Sequence, residues 1–170
     1  SSRSRMDIEK ENKIAIAFLT DILPNFEVCA RHAVEGVLDL HTKAPRGFKV
    51  VPAMTNSSSL CCIIQCWNAD YSLTLSVGIN KTDLEILIPG ANSEDMAMDA
   101  LGEVANVIAA RVLAIPGFEE HFGHMAMSPP IFSSGGVTLK RACAIQGVLS
   151  VNSTRLFLGF SMTANDKEIV

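Results

Sequence analysis

The stretch DALGEVANVIAARV, residues 99–112, carries a carboxylate, Glu103, and a carboxamide, Asn106, three residues apart. At about 100° per residue, a helix here gathers Leu101, Val104, Ala105, Ile108 and Val112 into a core face. Asp99, Glu103, Asn106 and Ala110 point the other way, with Glu103 and Asn106 about 60° apart and one turn along the axis. Their flanks are Gly102, Ala109 and Ala110 in place of the usual Lys and Glu fringe, and Val107 and Met96 border them as exposed apolar residues. Small residues beside two polar groups let another backbone come close. Asp99, Gly102, Val107 and Ala110 therefore read as a docking strip around a polar pair presented to a second molecule. The E-x-x-N spacing alone also occurs on ordinary solvated helices, where it does nothing.

Three other groups could do chemistry. His121 and His124 follow Glu119 and Glu120 in GFEEHFGHM, a set that zinc accepts, but Gly117 and Gly123 make the stretch read as a polar loop into a strand, with no metal site. SSGG, residues 133–136, has no following Lys and opens no helix, so it reads as a hairpin turn and not a phosphate cradle. The five cysteines, at 29, 61, 62, 66 and 143, form no C-x-x-C pair; Cys61 and Cys62 in LCCIIQCW read as core residues of a buried strand. No Ser-His-Asp set stands out.

The elements that must position the pair repeat. In the first half a helix NFEVCARHAVEGVLDLHT, capped by Asn25 and ended by APRG (44–47), precedes FKVVPAM, LCCIIQCW and YSLTLSVGI. Pro24 is expected to break or redirect any helix before it. Asn68-Ala69-Asp70 suits a hairpin turn. In the second half a helix over residues 93–113 precedes HMAMSPPIFSSGG, LKRACAIQGVLSV and RLFLGFSM, and an Ile-Gln dipeptide recurs at 64–65 and 145–146. The expectation is an α+β fold: a duplicated helix-plus-three-strand unit, its antiparallel sheet covered on one face by two long helices. Residues 1–13 read as a flexible arm or a cloning remnant, and residues 14–170 as one domain.

With 170 residues, 48% hydrophobic and 19% charged, the chain suits a single ordinary globule. A net charge of −4 and the lack of any basic stripe argue against nucleic acid. The run Ile14–Leu23 is too short to span a bilayer and contains Asp21, and the polar opening SSRSRMDIEKENK is no signal peptide, so a reduced, cytoplasmic protein off the membrane is expected.

The string ALGEVANVIAARV, followed by SPPIFSSGG and a closing hairpin, resembles the CheX-like chemotaxis phosphatases of the CheC/CheX superfamily. The likeness covers Asn25 to Met162. It implies hydrolysis of the aspartyl phosphate of a CheY-like response-regulator receiver domain, and a homodimer. CheX-like proteins carry one E-x-x-N helix, CheC proteins typically one in each half. Taking Phe48 as the partner of Phe122 sets Cys29 and His32 opposite Glu103 and Asn106, and Glu35 is followed three on by Leu38, so the first half lacks the motif. The family often has a Gly soon after the Asn, where this chain has Ala109, Ala110 and Arg111.

The resemblance implies the roles. Asn106 would orient the attacking water, because an amide both donates and accepts and carries no charge to repel a phosphoryl group. Glu103 would grip the receiver's lysine. No cofactor of its own is expected; the Mg²⁺ would come with the phosphorylated receiver. A non-catalytic docking module using the same helix is the alternative, and a small metal-binding regulator built on His121 and His124 a weaker third.

Overall fold

The computed structural model describes residues 4–43, 46–88, 90, 93–139 and 143–165. The first helix, α1 (Arg5–Leu38), starts in a capping box: Asp7 N–H donates to Ser4 Oγ, and Ser4 N–H to the Asp7 carboxylate. It runs straight through Pro24. Residues 5–13 are thus helical, where an arm was expected, and the helix neither starts at Asn25 nor breaks at the proline. Pro24 removes one backbone bond, a cost of about 3 kcal/mol. Burial outweighs it, since Ala15, Leu19 and Ile22 before the proline continue the same fully buried stripe as Phe26, Ala30, Ala33 and Val34 after it. The helix stops at Leu38 because Asp39 turns left-handed, at φ 53. Ala44 and Pro45 of the expected APRG terminator lie outside the described residues.

FKVVPAM is split at Pro52 into β1 (Arg46–Val51) and β2 (Met54–Asn56), which join different sheets. Then come β3 (Leu60–Trp67) and β4 (Tyr71–Ile79), joined by the expected turn, in which the Asn68 side chain accepts from Asp70 N–H and Tyr71 N–H. A short helix α2 (Leu84–Leu87) leads to α3 (Glu94–Leu113) and α4 (Phe118–Phe122). The second edge strand is also split, into β5 (Ala126–Met127) and β6 (Ile131–Ser133), around Pro129 and Pro130; β7 (Val137–Leu139), β8 (Cys143–Val151) and β9 (Thr154–Ala164) follow. Lys140 to Ala142, within LKRACAIQGVLSV, lie outside the described residues.

Among the described residues the large sheet is ordered β1-β8-β9-β4-β3-β5, with β6 also on β3, and every pairing is antiparallel. The duplication is therefore intertwined: the hairpins β3–β4 and β8–β9 meet at the centre, and each half lends its edge strand to the other's hairpin. Strand registers superpose Leu60 on Cys143, Trp67 on Ser150 and Tyr71 on Thr154. On that register Gln65 falls on Val148, so the repeated Ile-Gln dipeptide is two residues out of step and is a coincidence.

One face of the sheet packs under α1 and α3 through Cys62, Ile64, Leu73, Leu75, Val77, Ile145, Leu158 and Phe160. The rings of Phe18, Tyr71, Phe118 and Phe122 close one end of this core. The β2–β7 pair covers the opposite face. There Gly159 makes room for Met54, and Asn56 donates to Ser76 Oγ and to the Phe157 carbonyl. SSGG therefore does not close a hairpin. It carries the chain from β6 in the large sheet to β7 in the small one, and Gly136 is bare because a Cβ there would lie 2.6 Å from the Asn56 carbonyl oxygen.

Candidate functional site

Helix α3 forms where its periodicity places it. Ser93 caps it by accepting from Met96 N–H at 3.3 Å, and Glu94 and Asp95 sit in the first turn, where the helix dipole favours them. Leu101, Val104, Ala105, Ile108 and Val112 are completely buried. On the opposite side Asp99, Glu103 and Ala110 are exposed and Asn106 is half-buried. Neither the Glu103 nor the Asn106 side chain has a hydrogen-bond or ion-pair partner among the described residues. A carboxylate and a carboxamide one turn apart thus face outward, free to bind a cation and to orient a water or an anion's oxygen.

The docking strip is narrower than its residue types suggest. Met96 is exposed, but Val107 is half-buried and packs against the core. Gly102 and Ala109 are buried, not open. The reason is a contact distant in sequence: a Cβ on Gly102 would lie 3.3 Å from Phe132 Cζ and 3.5 Å from Pro130 Cβ. Gly102 is the seat of the Pro130–Phe132 segment, so it belongs to the wall of the site and not to its open surface. Neither Pro130 nor Phe132 is visible as a site residue in the sequence; the bare position four residues before Asn106 is the one trace of them.

The first half presents another surface. The burial phase of α3 from Leu101 to Leu113 matches that of α1 from Phe26 to Leu38, which sets Val28 and Arg31, not Cys29 and His32, at the places of Glu103 and Asn106. Phe48 cannot serve as the partner of Phe122, since one lies in a strand and the other in a helix. Neither alignment puts an E-x-x-N on the stretch of α1 that matches α3; the one at Glu9 and Asn12 lies nearer the start of the helix, where Glu9 pairs with Arg5 and Asn12 Oδ1 accepts from Ala164 N–H. Arg31 Nε donates to Thr42 Oγ1 at 3.2 Å, and the Thr42 hydroxyl and amide both donate to Glu35 Oε1, at 2.6 and 3.2 Å. These bonds hold the Glu35 carboxyl below its ordinary pKa.

His121 and His124 part company. The His121 ring lies tilted against Phe18, ring centroids 5.7 Å apart, while exposed His124 faces Glu119 at 3.9 Å. Among the described residues no three His, Cys, Asp or Glu side chains gather as metal ligands. All five cysteines are free; burial pushes Cys62 up to about 12, with neighbouring Cys61 adding to it, and Cys66 up to about 11. Cys62 faces the helices, whereas Cys61 lies on the other side of the sheet near the Ser58 carbonyl. Among the described residues no helix is long and apolar enough to cross a membrane.

Solved structures share this architecture. A chemotaxis protein from Desulfovibrio vulgaris Hildenborough is similar at a TM-score of 0.67 and 16% identity, over 84% of this chain and 96% of that one. CheX from Vibrio vulnificus is similar at 0.63 and 19% identity, over 84% and 99%. The fold is that of the CheX-like chemotaxis proteins. A CheX from Borrelia burgdorferi, solved in a complex with CheY, BeF3 and Mg²⁺, matches at 0.55 and 9% identity, over 81% of this chain and 95% of that one. No protein-family model and no curated protein sequence matches the chain.

Proposed function

We propose that this protein is a phosphatase that hydrolyses the aspartyl phosphate of a CheY-like receiver domain, docking through the outer face of α3. The observation that carries this reading is the unpartnered Glu103–Asn106 pair on a CheX-like fold. An acyl phosphate is already reactive, so hydrolysis needs little beyond a water held in line with the leaving oxygen. Asn106 does this: its carbonyl accepts from the water, its NH₂ donates to a phosphoryl oxygen, and it adds no negative charge. Glu103, exposed and one turn earlier, pairs with the receiver's lysine and fixes the approach of α3. The Mg²⁺ that neutralises phosphoryl charge is bound by the receiver. The sheet edges, β1 on one side and β5 with β6 on the other, are where a second copy would pair in a homodimer.

The decay of a phosphorylated receiver, with Mg²⁺ and catalytic amounts of this protein, tests the reading. Decay should accelerate, and Asn106→Ala should remove roughly a hundredfold of that acceleration while leaving receiver binding in place. Binding without acceleration, over the receivers of the same cell, would make the protein a docking module.

A further inference from the structure

The segment between β5 and β6 rests on the backbone of α3. A Cβ at Gly102 would meet Phe132 Cζ at 3.3 Å and Pro130 Cβ and Cγ at 3.5 Å, so the segment packs directly on the helix here and a methyl group would crowd the Phe132 ring. The segment is held from behind. Ser128 N–H donates to the Gln65 carbonyl at 2.8 Å, Gln65 N–H donates to Ser128 Oγ at 3.0 Å, and Phe132 pairs with Cys62 across the sheet. Between those anchors Pro129 and Pro130 fix φ and offer no N–H, which keeps this stretch out of the strand ladder. Stepping around α3 from Glu103 to Asn106 to Gly102, exposure falls from open to half-buried to buried. Asn106 lies one turn beyond Gly102 on the same side of the helix, about 40° around from the residue that seats Pro130 and Phe132.

We propose that Pro130 and Phe132 are positioning residues for Asn106. Seated on Gly102, they line one flank of the carboxamide with apolar surface, removing side-chain rotamers on that side and leaving its outer edge for a single water. A freely rotating amide on an open helix would spend most of its time misaligned, and small errors of placement are costly in reactions that depend on position. The catalytic meaning of the wall rests on the phosphatase reading; its restraint of Asn106 belongs to the protein alone.

Phe132→Ala and Phe132→Leu in the full chain test this by two readouts. The first is ¹⁵N relaxation of the Asn106 side-chain amide in the free protein. The second is the decay of a phosphorylated receiver at limiting and saturating receiver concentration. In Phe132→Ala the Asn106 amide should become mobile on the nanosecond timescale, and the saturated rate should fall roughly tenfold with little change in the half-saturating concentration. Phe132→Leu should restore both. Equal Asn106 mobility in the wild type and Phe132→Ala overturns the proposal, as does a loss of rate that merely follows the unfolded fraction measured by circular dichroism. If the wild type binds receivers without turnover, the phosphatase reading fails while the amide mobility still decides this one.

Discussion

Along α3, Leu101, Val104, Ala105 and Ile108 are buried while Glu103 and Asn106 look outward without partners; along α1 the same phase buries Phe26, Ala30 and Ala33 but presents Val28 and Arg31. The two helices solve the same packing problem under the same sheet, so their inner faces converge. Their outer faces are free to differ. On α1 the charged groups are used within the molecule: Arg31 and Glu35 both close on Thr42, which itself bridges to Val151 of the central hairpin. On α3 the polar groups are left available, and the segment from Pro130 to Phe132 is seated on the neighbouring Gly102. On the proposed function, the α1 face serves the fold and the α3 face serves a partner. The Arg31 and Glu35 side chains are used inside the chain, whereas those of Glu103 and Asn106 stay open to solvent and to the proposed receiver.

The contrast can be attacked directly. Glu103→Gln should weaken receiver binding severalfold and flatten its dependence on salt, as expected when one charged contact is lost; titration at two ionic strengths measures it. Unchanged affinity and salt slope would remove Glu103 from the interface.

A smaller effect is expected on α1. The two bonds from Thr42 depress the Glu35 pKa, so this carboxylate stabilises the fold above its unfolded value, near 4.5, and that contribution is lost as pH falls through the lower folded value. Thr42→Val removes the hydroxyl bond, raises the Glu35 pKa towards its ordinary value, and makes stability fall less steeply with acid. A carboxyl-carbon NMR titration of Glu35 together with denaturation over pH 3 to 6, roughly spanning the transition, checks both. The least effect is expected from grafting the motif: Val28→Glu with Arg31→Asn in an Asn106→Ala background should restore no turnover, because α1 offers its amide beside Thr42 and Glu35 rather than beside an apolar wall. Recovered turnover would show that the motif needs no such wall.

Much of this was legible in the sequence. A 3.6-residue period defines α3 nearly to the residue, and Asn68-Ala69-Asp70 marks the β3–β4 hairpin because an Asn side chain there can close the turn itself. Local rules failed where distant contacts outweighed them. Pro24 looked like a break, but the helix on both sides of it shares one buried stripe. Pro52 and Pro129-Pro130 sit inside apolar runs that look like single strands, yet each run divides between pairings that only the whole sheet reveals. Spacing alone picks out the pair Glu103 and Asn106, whereas Gly102 looks like open surface in the sequence because its cover, Phe132, is thirty residues away and shares no period with it.

The central claim is that one helix face, and not its duplicate, meets the receiver. Backbone hydrogen exchange of this protein, alone and saturated with a receiver carrying beryllofluoride and Mg²⁺ as a stable mimic of the aspartyl phosphate, reads this out residue by residue. Added protection should fall on α3 around Asp99 to Ala110 and on the segment from Ser128 to Phe132, with α1 around Val28 to Glu35 unchanged. Protection centred on α1, or spread equally over both helices, would contradict the account.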